Sequence, residues 1–145
     1  MLVRNVNIRK YTSTSAIENT PSARIREARL QKGFTQLELA NLIGLNYYAI
    51  SCIEKSGKFR LETLRKLSKA LDKPASYLGC FENMPESTFQ ERFKKARHYH
   101  AFDLLTTAKY LGVNQRTIYM WENGLSSPSK ENIKNANEFM NILNK

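Results

Sequence analysis

The chain has 145 residues, enough for one domain or for two small ones with modest cores. Lys and Arg outnumber Asp and Glu by 23 to 13, a formal charge of +10 that favours a polyanionic partner, nucleic acid first. No stretch approaches the roughly 18 apolar residues of a membrane span, no secretory signal is visible, and two cysteines outside any paired-ligand spacing fit a reduced, cytoplasmic compartment better than a disulfide scaffold.

Residues 1–20 show neither clean alternation nor helical period and are read as an N-terminal arm. Arg4, Arg9 and Lys10 give it charge suited to a phosphate backbone, while Leu2, Val3, Val6 and Ile8 leave a short edge strand as the other reading. Thr20 and Pro21 then open a first helix that carries Ile25, Ala28 and Leu30 among basic residues and is closed by Gly33. The next stretch, Thr35 to Glu54, is the one around which the rest is organised. Thr35 caps a helix with Glu38 returning the bond, and Leu37, Ala40, Leu42 and Ile43 recur at helical spacing as its apolar face. Gly44 stands where a helix ends in the left-handed conformation, and Asn46 caps a further helix with Ala49, Ile50 and Ile53 inward. A turn of about three residues makes the two helices cross steeply and thrusts Tyr47, Tyr48, Ser51 and Cys52 outward.

Ser56 and Gly57 end that helix, Lys58 and Arg60 occupy the loop, and LETLRKLSKAL predicts a fourth helix on Leu61, Leu64, Leu67 and Leu71, followed by a short turn from Ala75 to Leu78. Residues 80–87, with Pro85 and a shift towards acidic side chains, predict a linker. Fully extended, the stretch from Gly79 to Ser87 would reach about 30 Å.

Beyond it the pattern returns. A shift of 68 positions lays Arg92–Glu122 on Arg24–Glu54 without a gap, with ten identities, among them Arg29 with Arg97, Gly44 with Gly112, Asn46 with Asn114 and Glu54 with Glu122. Matches at caps, turn glycine and core positions together mark the same small fold present twice. The second copy opens near Ser87, with Gln90 at capping-box spacing, and closes on a helix started by Pro128 and Ser129 with a stripe of Ile133, Ala136, Met140 and Leu143. Phe139 and Ile142 fall beside that stripe and are read either as partly exposed, giving the C-terminal helix a surface for pairing with a second copy of the chain, or as additional core.

These residues carry a resemblance. Through RIREARLQKGFTQLELANLIGL, AISCIEKSGK and LETLRKLSKAL the first half resembles the helix-turn-helix domain of the phage Cro and repressor (Cro/C1) type, the XRE family, and the second half resembles it less strictly. The resemblance implies an all-α fold of two tandem lambda-repressor-like domains of about five helices each, at 21–79 and 88–145. It also implies double-stranded DNA as partner, the third helix of a domain in the major groove, and transcriptional regulation, with repression the commonest mode. Carried over residue by residue, Arg29 with Glu54 and Arg97 with Glu122 are structural pairs. Gln36 matches the glutamine that holds a phosphate and braces the third helix, and Leu104 stands in its place in the second copy. Base contacts fall on Tyr47, Tyr48 and Cys52 after the cap Asn46, with Ser51 beside them, and backbone contacts on Lys55, Lys58 and Arg60. In the second copy the matching positions are Gln115, Arg116 and Met120 after Asn114, with Tyr119 alongside.

Tyrosine and cysteine are poor two-pronged partners for base edges, although tyrosine can meet a thymine methyl, whereas glutamine suits adenine and arginine suits guanine. Charge divides the other way: residues 21–79 hold 11 Lys and Arg against 5 Asp and Glu, or +6, and residues 80–145 hold 9 against 7, or +2. The first domain is thus expected to anchor and the second to supply part of the sequence choice.

No cofactor, metal site or catalytic constellation is expected. His98 and His100 are two apart on a helix, which defeats the i, i+4 geometry of a helical zinc pair, and they are read as surface residues; Trp121, in the place of Ile53, is read as core. Cys52 as a redox trigger is the rarer reading beside a small surface residue. The rival to DNA binding is a protein-binding module that keeps the fold, such as an antitoxin, anti-repressor or phage inhibitor, and the twin tyrosines favour it.

Overall fold

The computed structural model describes residues 18–144. The arm's Arg4, Arg9 and Lys10, and the strand considered over Leu2, Val3, Val6 and Ile8, lie outside the described residues. The described chain is helical, and it divides between Cys80 and Phe81 into two compact units. None of its helices is long and apolar enough to cross a membrane.

The first unit holds α1 (Pro21–Lys32), α2 (Gln36–Ile43), α3 (Tyr47–Ser56), α4 (Leu61–Leu71) and the single turn α5 (Ala75–Leu78). Each early boundary has a local cause. Thr20 caps α1 by accepting from the Ala23 amide with Pro21 in the first turn, and Thr35 and Glu38 close both bonds of a capping box on α2. Gly44 ends α2 at φ 77°, in the left-handed region that glycine enters without steric cost. The core gathers Ile25, Leu39, Ile50, Leu64, Leu67 and Leu78, all fully buried.

Spacing alone assigns one face wrongly. Leu37 and Leu42 are 53% and 57% exposed, and the inner face of α2 is Leu39, Ala40 and Ile43. At 100° per residue, those three span about a quarter-turn, with Leu37 and Leu42 roughly 100° or more to either side. The second copy repeats this arrangement, since Leu105 and Tyr110 occupy the equivalent positions and are also exposed.

In the second unit a 3-10 turn (Phe81–Asn83) precedes α6 (Phe89–Tyr99), α7 (Leu104–Leu111), α8 (Gln115–Glu122), α9 (Lys130–Met140) and a closing 3-10 turn (Asn141–Asn144). The stretch expected to be a linker is not a free extended strand. Phe81 is buried, Lys95 donates from Nζ to the Glu82 carbonyl at 3.2 Å, and the same ammonium pairs with Glu86, so residues 81–86 pack on α6. The cap of α6 is Thr88 with Glu91 rather than Ser87 with Gln90, one residue later than expected. Here the core turns aromatic: Phe93 meets Trp121 edge-to-face with ring centroids 5.4 Å apart and lies 5.2 Å from Phe139.

Two further expectations are corrected by that core. Phe139 is 2% exposed and Ile142 half-buried against the same cluster, whereas Ile133 faces solvent, so the surface assigned to self-association through Phe139 is interior. The histidines, expected at the surface, are half-buried. His100 stacks on Phe139 at 4.2 Å with Nε2 bonded to the Phe139 carbonyl, and His98 lies edge-on to Phe81 at 5.0 Å. Burial holds the His98 imidazole below its ordinary pKa, against its hydrogen bond to the Lys94 carbonyl.

Candidate nucleic-acid interface

The site is built outward from a knot that occurs once in each unit. On α1, Arg29 donates from Nε and Nη2 to the two oxygens of Glu54 on α3 at 2.6 and 3.0 Å, and from Nη1 to the Phe34 carbonyl at 2.8 Å. Arg97 repeats all three contacts, with Glu122 at 2.5 and 3.0 Å and with the Phe102 carbonyl at 2.9 Å. A planar guanidinium with a two-pronged carboxylate fixes both distance and angle, so α3 and α8 are seated on α1 and α6 by the same geometry. Side-chain exposure of 9% for Arg29 and 3% for Glu54 places the pair in the interior, where its role is to orient rather than to attract a ligand.

Gln36 joins the knot in the first unit only. Its Nε2 donates to Glu54 Oε1 at 3.1 Å, which places the amide at the start of α2 against the body of α3. Leu104 stands at the equivalent position in the second unit and has no such group to give.

The outward ends of α3 and α8 are set by their caps. Asn46 accepts from the Ala49 amide at 2.9 Å, and Asn114 accepts from both the Thr117 amide and the Thr117 hydroxyl at 2.9 Å. The side-chain oxygens of both asparagines are therefore committed to the helix. Past the first cap, Tyr47 and Tyr48 are 45% and 75% exposed, their rings edge-to-face with centroids 5.7 Å apart. Ser51 is half-buried, and Cys52 is a free, exposed thiol. Lys55 in the last turn of α3, and Lys58 and Arg60 in the loop before α4, all reach solvent. On α8, Gln115, Arg116 and Tyr119 are exposed and Met120 only partly so.

Sequence identity does not carry environment with it everywhere. Arg24 is buried, donating to the Tyr77 carbonyl at 2.7 Å and lying over the Tyr77 ring, while its repeat equivalent Arg92 is exposed. The loops after the third helices also diverge: where the first unit has Lys58 and Arg60, the second runs Asn123, Gly124, Leu125 and Ser126 without a cation, and Leu125 is exposed. The ungapped repeat stops at Glu122 and does not reach this difference, although the residues themselves signal it. Among the described residues no cluster of His, Cys, Asp and Glu has the makings of a metal site.

The helix-turn-helix family pattern matches residues 25–78 and again residues 105–142. No curated protein and no solved structure matches the chain.

Proposed function

The chain belongs to the helix-turn-helix family, and from that premise we propose that it is a sequence-specific binder of double-stranded DNA and a transcriptional regulator, a repressor of phage or mobile-element type acting in the cytoplasm. The observation that carries the reading is the doubled seat of the third helix: two buried Arg–Glu knots hold α3 and α8 with their capped first turns outward. A formal charge of +10 supports a polyanionic partner. Repression needs no more than a small domain covering a promoter. Footprinting on genomic fragments tests this, and the absence of any protected promoter-like site would remove the regulatory assignment.

The two heads divide the work. Gln36, Lys55, Lys58 and Arg60 hold phosphates, so replacing any one of them by alanine is expected to weaken binding to all sequences alike. Each phosphate that the protein no longer neutralises flattens the slope of log affinity on log salt by about 0.9. Gln36 is uncharged, so its variant should lose affinity at an unchanged slope; unchanged slopes in the three Lys and Arg variants would take the first unit off the DNA. Arg116 reads a guanine and Gln115 an adenine. Arg116→Ala is accordingly expected to cost about 1–3 kcal/mol and relax choice at one guanine; a selection experiment with the variant that returns the parent's base preference would reverse that assignment.

The rival reading, a protein-binding module on the same fold, is favoured by one observation, the exposed aromatic rings of Tyr47, Tyr48 and Tyr119. Polarisation against duplex DNA over a range of salt separates the two, since a protein-directed head leaves no salt-dependent affinity for duplex.

A further inference from the structure

The first head has an unusual chemical inventory for a surface that meets base edges. Its outermost groups are two phenol rings held edge-to-face, with the small thiol of Cys52 beside them. Of the longer polar groups nearby, Arg29 spends all three of its contacts in the knot, Asn46 commits Oδ1 to the Ala49 amide, and Gln36, tied through Nε2 to Glu54, is the group assigned above to a phosphate. Along α3 the first cation is Lys55, about two turns beyond Tyr48. The head therefore presents aromatic surface and rotatable hydroxyls where two-pronged donors would be needed to distinguish purines.

In the major groove the one apolar feature of the bases is the C5 methyl of thymine. A cytosine methylated at C5 places its methyl at the same point of the groove. The two bases differ at C4, an acceptor in one and a donor in the other, and a phenol O–H serves either partner by rotating. Resting on the DNA-binding reading above, we infer that the face of Tyr47, Tyr48 and Cys52 is a subsite for 5-methylpyrimidines, which takes thymine and 5-methylcytosine in preference to uracil and cytosine. Binding by this chain then responds to cytosine methylation within the half-site under the first head. The second head has Gln115 and Arg116 in place of the two tyrosines and Met120 in place of Cys52, so the paired phenol rings belong to the first head alone.

The test uses the full chain. Duplexes are selected from a random-sequence pool, then resynthesised with deoxyuridine replacing each thymine in turn, or with 5-methylcytosine replacing each cytosine, and their affinities are compared at one salt concentration. Burial of a methyl against an aromatic ring predicts about a fourfold loss for deoxyuridine at each thymine under the first head, and a gain of similar size for 5-methylcytosine at a cytosine there. The Tyr47→Ala, Tyr48→Ala double variant should lose both responses, and the corresponding phenylalanine variant should keep them. Equal affinity for thymine and deoxyuridine duplexes at every position overturns the inference while leaving DNA binding intact. So does a methyl response that survives the alanine variant, or one that the folded phenylalanine variant lacks. Failure to select any duplex removes the DNA-binding reading itself, and this inference with it.

Discussion

Arg29→Ala will lower the unfolding free energy of the first unit by about 3–5 kcal/mol, because it strands a carboxylate in the interior as well as removing an attraction. Glu54 has a 3% exposed side chain and would keep only the Gln36 amide as a partner, and the Phe34 carbonyl would lose its donor. Among the described residues no buried side-chain nitrogen or oxygen lacks a hydrogen bond, so the variant introduces a defect that the parent avoids everywhere. Replacing both partners with apolar groups of similar volume should cost far less, since the pair repays little beyond its own desolvation. Urea unfolding followed by amide resonances of each unit checks this. The first unit's midpoint should fall while the second, which has its own Arg97–Glu122 pair, stays put. A first-unit midpoint matching the parent's would mean that α3 is seated by packing alone.

Trp121→Ala is the counterpart in the second unit, with an expected cost of about 3–5 kcal/mol from forfeited transfer energy and the cavity left behind. Trp121 is 2% exposed and meets Phe93, which in turn meets Phe139, so one truncation opens the centre of the aromatic cluster. At roughly 0.05–0.15 kcal/mol per residue, a unit running from Phe81 to Lys145 has about 3–10 kcal/mol in all, so the truncation removes a large share of its stability and should lower its thermal midpoint steeply. Far-UV circular dichroism and the dispersion of second-unit resonances, followed on heating, would show it. Trp121→Phe should retain the fold with a smaller loss. The first unit, with Ile53 at the matching position, should be untouched; a second-unit midpoint matching the parent's in the alanine variant would show that the cluster closes over the gap.

Much of this architecture is legible in the sequence because the helix ends are marked by residues with strong local reasons to be there. Thr20, Thr35, Asn46 and Asn114 are side-chain acceptors for exposed helix amides, and Gly33, Gly44, Gly57 and Gly112 occupy left-handed positions. The inner face of α2 is harder to see because five of its eight residues are apolar, and a helix of barely two turns does not average out the ambiguity. Ser87 and Thr88 are adjacent hydroxyls, each with a Gln or Glu three residues on, so their competition is settled by how Phe89 and Phe93 enter the core. Phe139 and His100 escape a sequence reading for a shared reason: Phe139 is covered by His100 and Phe102, and His100 partly by Phe139, through contacts between residues far apart in the chain. In the candidate interface, the exposure of Tyr47, Tyr48 and Cys52 follows from their place after a cap. The tether of Gln36 to Glu54 depends instead on where α3 lies against α2, which no local pattern encodes.

The turn that leads from the first helix of each copy into the next follows one path on two different residues. In the first copy Gly33 adopts φ 78°, and in the second Ala101 adopts φ 56°, a conformation that costs a side-chain-bearing residue on the order of 1 kcal/mol. In both, the residue that follows sends its carbonyl to the same guanidinium, Phe34 to Arg29 and Phe102 to Arg97. The corner is thus held by an arginine five residues before the phenylalanine, on the helix just ended, and the residue standing at it is free to drift as long as that arginine stays. A copy that has lost its glycine can persist as a fold long after it has ceased to look like one, and divergence between the two halves should be sought on their outward surfaces before it is sought in their shape.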